Sequence, residues 1–359
     1  MDMNWRIDRY LYQKDVPWWK GALLFPLYLL SLPYGWAVKA RTFFYVNGLF
    51  KTRRLPCPVI SVGNITVGGT GKTPLVMALA KGLMDRGVRV AILSRGYRRS
   101  ATSGSIVSDS QTILLSPEAS GDEPYLLAKN LPGIPVLVGK DRFTQGQGAI
   151  QRFGVQGLIL DDGFQHLRLH RDLNIALLDS RTGFGGGHLL PRGILREPLT
   201  HLRRAHLVLL TKVEQMDACS SLEAEVREAH PSVPIFHSFY EPVCLVGPDG
   251  EQERIESLKG KKVFAFSGIA QPESFTLLLR KLGMNVAKEV AFPDHYRYTM
   301  KDLSWIEKEG REMDGVVTTE KDMVKLSNSG VSQLPIWALQ IEMKIREEKE
   351  FFQRVMELF

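Results

Sequence analysis

The segment Thr66-Val67-Gly68-Gly69-Thr70-Gly71-Lys72-Thr73 lies between the β-rich apolar run Pro58-Val59-Ile60-Ser61-Val62 and the helical run Leu75-Val76-Met77-Ala78-Leu79-Ala80. Strand, glycine-rich turn and helix in that order restrict the chain to few folds. The turn's backbone N–H groups and the helix N-terminus then converge on an anion the size of a phosphate. Lys72 is placed to reach outer phosphates and Thr73 to hold Mg²⁺, which points to nucleoside triphosphate chemistry. The usual motif has a glycine six residues before the lysine, and this chain has Thr66 there. Gly68 and Gly69 are expected to supply the backbone freedom instead. An ordinary left-handed helix start is the competing reading, and the lysine and hydroxyl together after an apolar strand weigh against it.

From Pro58 onward, short apolar runs alternate with helical patterns, which predicts an α/β fold. The expectation is a P-loop NTPase-like, mostly parallel sheet with helices on both faces, plus a smaller C-terminal α/β domain. Strands are expected at 58–62, 88–93, 135–138, 157–161, 173–179 and 206–211, with helices at 72–86, 122–130, 141–153 and 217–229. Further on, the pattern gives strands at 263–266, 284–291 and 316–319, helices at 271–282 and 300–310, and a terminal helix from about Arg346. Three parts are expected: a membrane-associating segment over 1–55, a phosphate-loop core over 56–240, and a domain over 241–359 closing over the nucleotide cleft. Ligands in such sheets gather beyond the carboxyl ends of the strands.

With 44% hydrophobic and 24% charged residues over 359 positions, the composition is globular, and the formal charge of +7 points to an anionic partner. Cys57, Cys219 and Cys244 contain no Cys-x-x-Cys pair, which argues against a disulfide framework or zinc site and fits a reducing compartment. Gly21 to Val38 carries no charged side chain, yet Pro26, Pro33, Gly21 and Gly35 are expected to interrupt a spanning helix. An interfacial or re-entrant segment is therefore expected, with a buried core helix as the main alternative; a secretory signal fits poorly because the apolar stretch starts late. Trp18, Trp19, Tyr34 and Trp36 lie near its ends, and Arg6, Arg9, Lys14, Lys20, Lys39, Arg41, Lys51, Arg53 and Arg54 flank it, a pattern that suits anionic lipid.

Leu158-Ile159-Leu160-Asp161-Asp162-Gly163-Phe164-Gln165-His166 is an apolar strand ending in two acids, a glycine turn and a histidine. Asp161 and Asp162 suit Mg²⁺, and His166 suits the metal shell or the transferred phosphate. Arg95, in Ser94-Arg95-Gly96-Tyr97-Arg98-Arg99, is a candidate to neutralise phosphate charge. Asp122 or Glu123, in Gly121-Asp122-Glu123-Pro124, reads equally as a general base for a hydroxyl or as a helix cap. In the long loop from Gly183 to Pro198, Arg196 and Glu197 are the strongest candidates to meet a phosphorylated substrate.

Together, Ser61 through Thr73, Ser94-Arg95-Gly96-Tyr97, Gly121-Asp122-Glu123-Pro124, Asp161 through His166, Leu195-Arg196-Glu197-Pro198, Phe292-Pro293-Asp294-His295 and Thr318-Thr319-Glu320-Lys321-Asp322 resemble the tetraacyldisaccharide 4′-kinases over most of the chain. That family's own phosphate loop looks variant in the same way as this one. The resemblance implies an ATP- and Mg²⁺-dependent kinase acting on an acylated disaccharide phosphate lipid, at the cytoplasmic face of the bacterial inner membrane, peripheral or monotopic. It implies Asp122 as base working with His295, Lys72 and residues Thr66 to Thr73 on the nucleotide, and Thr73, Asp161, Asp162 and Glu197 around the metal. Arg95, His166 and Arg196 would then serve substrate and phosphate.

Two other classes compete. Thr211-Lys212-Val213-Glu214 faintly resembles the base-reading motif of G proteins, which would suit a GTPase switch or metal-insertion chaperone, although Glu214 stands where Asp is expected. A non-enzymatic membrane adaptor would have no use for Lys72, Asp161 and Asp162. No nucleic-acid partner is expected, because basic residues do not cluster on a helix with interleaved aromatics, and no obligatory protein partner is evident.

Overall fold

The computed structural model describes residues 21–22, 24–96, 99, 105–326 and 336–359. Arg6, Arg9, Lys14, Trp18, Trp19, Lys20, Tyr97 and Arg98 lie outside the described residues. The chain forms two compact units: Met1–Arg95 with Gly139–Phe239 and Lys344–Phe359, and Gly96–Val138 with Tyr240–Met343.

The first unit is built on a parallel sheet of β1 (Val59–Gly63), β2 (Val90–Ser94), β3 (Gly157–Asp161), β4 (Leu173–Asp179), β5 (Leu207–Thr211) and the start of β6 (Ile235–Val246). Their order is β6-β5-β4-β1-β3-β2, every pairing parallel. The strands β1 to β5 are buried along their whole length, which is why they read as continuous apolar runs rather than alternating ones. Strand order reverses at β1, so β1 is the topological switch point where a ligand crevice opens. Val62 stands opposite Asp161, so the phosphate loop and the acidic turn leave neighbouring strand ends.

The helix Lys72–Asp85 buries Leu75, Val76, Leu79, Ala80 and Leu83, a stripe at helical spacing. The C-terminal helix Glu348–Met356 also belongs to this unit and packs ring-first against it: a Cβ on Gly82 would lie 2.2 Å from the Phe352 ring.

The N-terminal helix runs unbroken from Phe25 to Val46, so the expected interruption does not occur. Pro26 falls in the first turn, where a missing N–H costs nothing. Pro33 lies inside the helix, which continues on both sides of it. Nor is it a core helix: Leu30 is 58% and Trp36 77% exposed, and only Ser31 and Gly35 of the helix are buried. No helix among the described residues is long and apolar enough to cross a membrane.

The second unit has its own parallel strands, β7 (Lys262–Ser267), β8 (Asn285–Ala291), β9 (Gly315–Thr319) and β10 (Ile336–Ile345), in the order β8-β7-β9-β10. Separate apolar clusters around Val263, Ala265 and Val317 and around Phe264, Phe266 and Val316 cover its two faces, as strand alternation requires. The helix Asp122–Asn130 is fastened in this unit: Asn130 donates to Glu320 at 3.2 Å and accepts from Gln340 at 3.2 Å.

Candidate active site

The phosphate loop leaves β1 with its backbone already shaped. Gly68 (φ 106°) and Gly71 (φ 87°) take the left-handed conformations, so the freedom expected of Gly68 and Gly69 falls at Gly68 and Gly71. Thr66 needs no such freedom, because it bridges antiparallel to Leu195; Val67 N–H donates to Ile194 O at 2.8 Å and Arg196 N–H to Ile65 O at 2.7 Å. The long loop from Gly183 to Pro198 is thus zipped along the phosphate loop, and the missing motif glycine is explained by this extended pairing.

Asn64, fully buried at the end of β1, organises the polar groups around it. Its Nδ2 donates to Thr70 Oγ1 at 2.9 Å; its Oδ1 accepts from Arg196 Nη1 at 3.2 Å and, weakly, from Lys72 Nζ at 3.5 Å. Lys72 Nζ also stands 3.8 Å from Asp162 Oδ1, and Arg196 grips both oxygens of that carboxylate at 2.9 and 3.3 Å. Burial alone would raise the pKa of Asp162, but Lys72 and Arg196 outweigh it and hold the carboxyl below its ordinary range. Asp162 also adopts φ 51°, uncommon for a residue with a side chain. Asp161, 3% exposed, accepts from Ser94 Oγ at 2.9 Å.

The remaining expected residues have surroundings of their own. Glu197 is buried, and its Oε2 is taken by His201 Nδ1 at 2.7 Å and by Arg204. Desolvation pulls its pKa up, while the His201 hydrogen bond and Arg204 pull harder and keep it ionised. His166 is pushed down to about 4, chiefly by desolvation and then by Arg142, Arg171 and Arg41, so it is neutral at ordinary pH. Arg95 is exposed just beyond β2. Thr73 is half-buried in the first turn of the helix, one residue after Lys72.

Strand β5 holds the phosphate loop from behind. Thr211 Oγ1 donates to Thr70 O at 2.9 Å, while Lys212 Nζ donates to Gly69 O at 2.8 Å and pairs with Asp179 at 2.6 Å. These are residues of the segment that resembles a base-reading motif. Here Lys212 contacts backbone of the loop, and Arg181 occupies Glu214 at 2.6 Å. The N-terminal helix reaches the same region: Tyr34 Oη donates to Arg196 O at 2.8 Å and Arg41 to Gln165 O at 2.9 Å.

In the second unit, Asp122 opens its helix after Gly121 (φ 96°). Its Oδ2 lies 3.6 Å from His295 Nδ1, slightly longer than a hydrogen bond. His295 itself adopts φ 59°. Desolvation raises the Asp122 pKa, but His295, Lys325 and Lys321 together bring it below the ordinary value, so the carboxylate is available to accept a proton. Lys321 Nζ reaches Glu123 at 3.2 Å, Asp294 at 3.3 Å and His295 Nε2 at 3.3 Å.

Sequence reasoning missed Asn64, Thr211 and Lys212 as organisers. All three stand at or just after a strand end, the one signal available. A metal would find hard oxygen donors here: the Thr73 hydroxyl on the loop's helix and the Asp161 and Asp162 carboxylates at the neighbouring strand end. Among the described residues no three His, Cys, Asp or Glu side chains form a cage. Mg²⁺ fits this donor set, because it takes one or two carboxylates and completes its shell with water and phosphate oxygens.

Comparison with known proteins places these features in a lineage. Residues 23–359 match the family described as Tetraacyldisaccharide-1-P 4′-kinase. A tetraacyldisaccharide 4′-kinase of Syntrophus aciditrophicus is 45% identical, with 92% of each chain covered. One of Geobacter sulfurreducens is 44% identical over 88% of this chain and 89% of its own. The solved structure of LpxK from Aquifex aeolicus in complex with ATP aligns with a TM-score of 0.77 at 38% identity, covering 94% of this chain and 99% of that one.

Proposed function

The chain belongs to the tetraacyldisaccharide-1-P 4′-kinase family, and on that premise we propose that it transfers the γ-phosphoryl group of ATP to the 4′-hydroxyl of a tetraacyldisaccharide 1-phosphate, a step of lipid A biosynthesis. The observation that carries this reading to the site is the group of Lys72, Asn64, Asp162 and Arg196 at the mouth of the phosphate loop.

Phosphoryl transfer asks for positioning and for neutralisation of charge on the transferred group's oxygens. The loop N–H groups and Lys72 hold the triphosphate, and Asp162 and Asn64 fix where the Lys72 ammonium stands. Thr73, Asp161 and Asp162 would hold Mg²⁺, which would supply charge neutralisation to the phosphates when bound. Asp122 accepts the proton of the sugar hydroxyl, and His295 orients that carboxylate. Arg196 is shared between Asp162 and Asn64 and is available to a phosphate when one arrives, since a guanidinium carries five donors. Glu197, held by His201 and Arg204, braces the loop that carries Arg196. Arg95 and His166 serve the substrate side.

A substrate with several acyl chains stays in a bilayer. The exposed Phe25, Leu29, Leu30, Trp36 and Phe43 of the N-terminal helix suit peripheral binding at the cytoplasmic face of the inner membrane.

The test is transfer of label from γ-labelled ATP with Mg²⁺ to a tetraacyldisaccharide 1-phosphate in detergent micelles. Wild type should label the lipid, while Lys72→Ala and Asp122→Ala should suppress labelling. No lipid labelling by a wild type that binds nucleotide would refute the assignment and favour a nucleotide-dependent switch.

A further inference from the structure

The Thr318-Thr319-Glu320-Lys321-Asp322 segment is only partly used by the fold. Glu320 fastens the helix Asp122–Asn130 through Asn130. Asp322, fully buried, accepts from Gly268 N–H at 2.9 Å and Thr319 Oγ1 at 2.7 Å and pairs with Lys325 at 2.9 Å. Lys321 differs from both, because its ammonium reaches two carboxylates and one imidazole nitrogen.

An ammonium has three donors and no acceptor. Glu123 at 3.2 Å and Asp294 at 3.3 Å keep Lys321 charged; burial works against the charge, and the two carboxylates overcome it, so its pKa lies above the ordinary lysine value. A charged lysine 3.3 Å from His295 Nε2 can only donate to it. Nε2 must then present its lone pair, and the single proton of a neutral ring has one place left, Nδ1, the nitrogen 3.6 Å from Asp122 Oδ2.

We propose that Lys321 is a positioning residue that fixes the tautomer of His295, so that Nδ1–H faces the Asp122 carboxylate. The inference rests on the reading of Asp122 as the base. A ring of the opposite tautomer would aim a lone pair at that carboxylate and repel it. Asp122, Asp294 and Lys321 are among the groups that face the ring, with Glu123 and Lys325 acting on these partners in turn. The positive φ of His295 is held in place by its own N–H donating to Asp294 Oδ1 at 2.9 Å, so Asp294 steers both the backbone of the ring and the lysine that reads it.

The experiment uses the full chain in detergent micelles with ¹⁵N-labelled histidine rings, His295 being identified by the signal lost in His295→Gln. Wild type and Lys321→Arg should show His295 protonated on Nδ1, with Nε2 as an acceptor; Lys321→Met should move the proton to Nε2. In Lys321→Met, kcat should fall about 10- to 100-fold, as when an orienting partner of a catalytic group is lost, with KM for ATP within about twofold. Lys321→Arg should recover most of the rate.

A wild-type ring protonated on Nε2 overturns the proposal, and that spectrum decides even if Lys321→Met does not fold. So does a Lys321→Met enzyme that keeps either its tautomer or its kcat, which would leave Lys321 a structural ion-pair partner only. The base assignment fails separately: Asp122→Asn with undiminished turnover refutes it, whatever the ring spectrum shows.

Discussion

Replacing Lys212 by Met tests whether the phosphate loop owes its shape to a clamp behind it. The Lys212 side chain is 10% exposed and that of Asp179 2%, with their charges 2.6 Å apart. Removing one partner of a buried pair costs about 3–5 kcal/mol because the other charge is left uncompensated. Asp179 Oδ1 keeps the Arg181 backbone N–H at 3.0 Å, which places the loss near the lower end. Gly69 is exposed, so its carbonyl recovers a water when the lysine leaves and adds at most about 1 kcal/mol. A net loss of about 3 kcal/mol lowers the melting temperature by about 6–12 °C at 2–4 °C per kcal/mol. Urea unfolding of wild type, Lys212→Met, Asp179→Asn and the double variant closes a cycle. The double variant should be more stable than the sum of the single losses by about 2 kcal/mol, since the attraction between Lys212 and Asp179 is then lost once and not counted twice. With the loop untethered at Gly69, ATP affinity should drop about tenfold, equal to about 1.4 kcal/mol. Coupling below about 0.5 kcal/mol, with unchanged ATP affinity, would refute the clamp.

Glu197 has a folded-state pKa below the ordinary 4.5, so its ionised form contributes stability that is complete above that value and is lost as pH falls through the folded value. The advantage of wild type over Glu197→Gln in thermal unfolding should therefore be constant at neutral pH and shrink below about pH 4.5. His166 has the opposite chemistry: its pKa falls from 6.5 to about 4, so the unfolded chain binds more protons between those values, and wild type should lose stability relative to His166→Gln as pH drops across that window. Gly63→Ala should fail to accumulate as folded protein or lose nucleotide binding, because its Cβ would meet Phe164 Cβ at 2.6 Å and Phe164 N at 2.7 Å; solubility and ATP binding report it. Leu30→Ser with Trp36→Ser should leave activity on micelles of a short-chain analogue nearly intact and lower binding to anionic vesicles, measured by sedimentation.

The strands of the first unit were legible because they are buried on both faces and therefore read as uninterrupted apolar runs with chemistry at their ends; Val59–Gly63, Gly157–Asp161 and Leu173–Asp179 fall within a residue of expectation. Ile235–Val246 and Ile336–Ile345 were not legible. The first carries Glu241 and Pro242 in mid-strand, and the second, preceded by a polar stretch, mixes Gln340, Glu342 and Lys344 among its apolar residues. The membership of Gly96–Val138 in the second unit could not be read either, since it comes from contacts distant in sequence such as Asn130 with Gln340. Motifs revealed which residues carry charge but not their partners. Glu197 looked like a metal acid, and only the fold shows His201 and Arg204 on its carboxylate.

The N-terminal helix joins two requirements that sequence alone leaves separate. Its apolar side chains are exposed, yet Tyr34 and Arg41 spend their polar ends on the backbone carbonyls of Arg196 and Gln165, and a Cβ on Gly35 would lie 2.8 Å from Leu189. Those carbonyls belong to the loop whose Arg196 side chain grips Asp162 and to the turn whose Gln165 side chain donates to Asn64 O at 2.8 Å. Helix, loop and turn are therefore one hydrogen-bonded body, within which a shift of the helix by one ångström would stretch contacts that already lie at 2.8–2.9 Å. If, as proposed, a lipid surface captures the apolar face, the orientation of Arg196 and Asp162 would be fixed with it through these same hydrogen bonds. On that proposal the docking element sits directly on residues that surround Lys72, so a soluble phosphate donor would meet a bilayer-held acceptor with no further moving part.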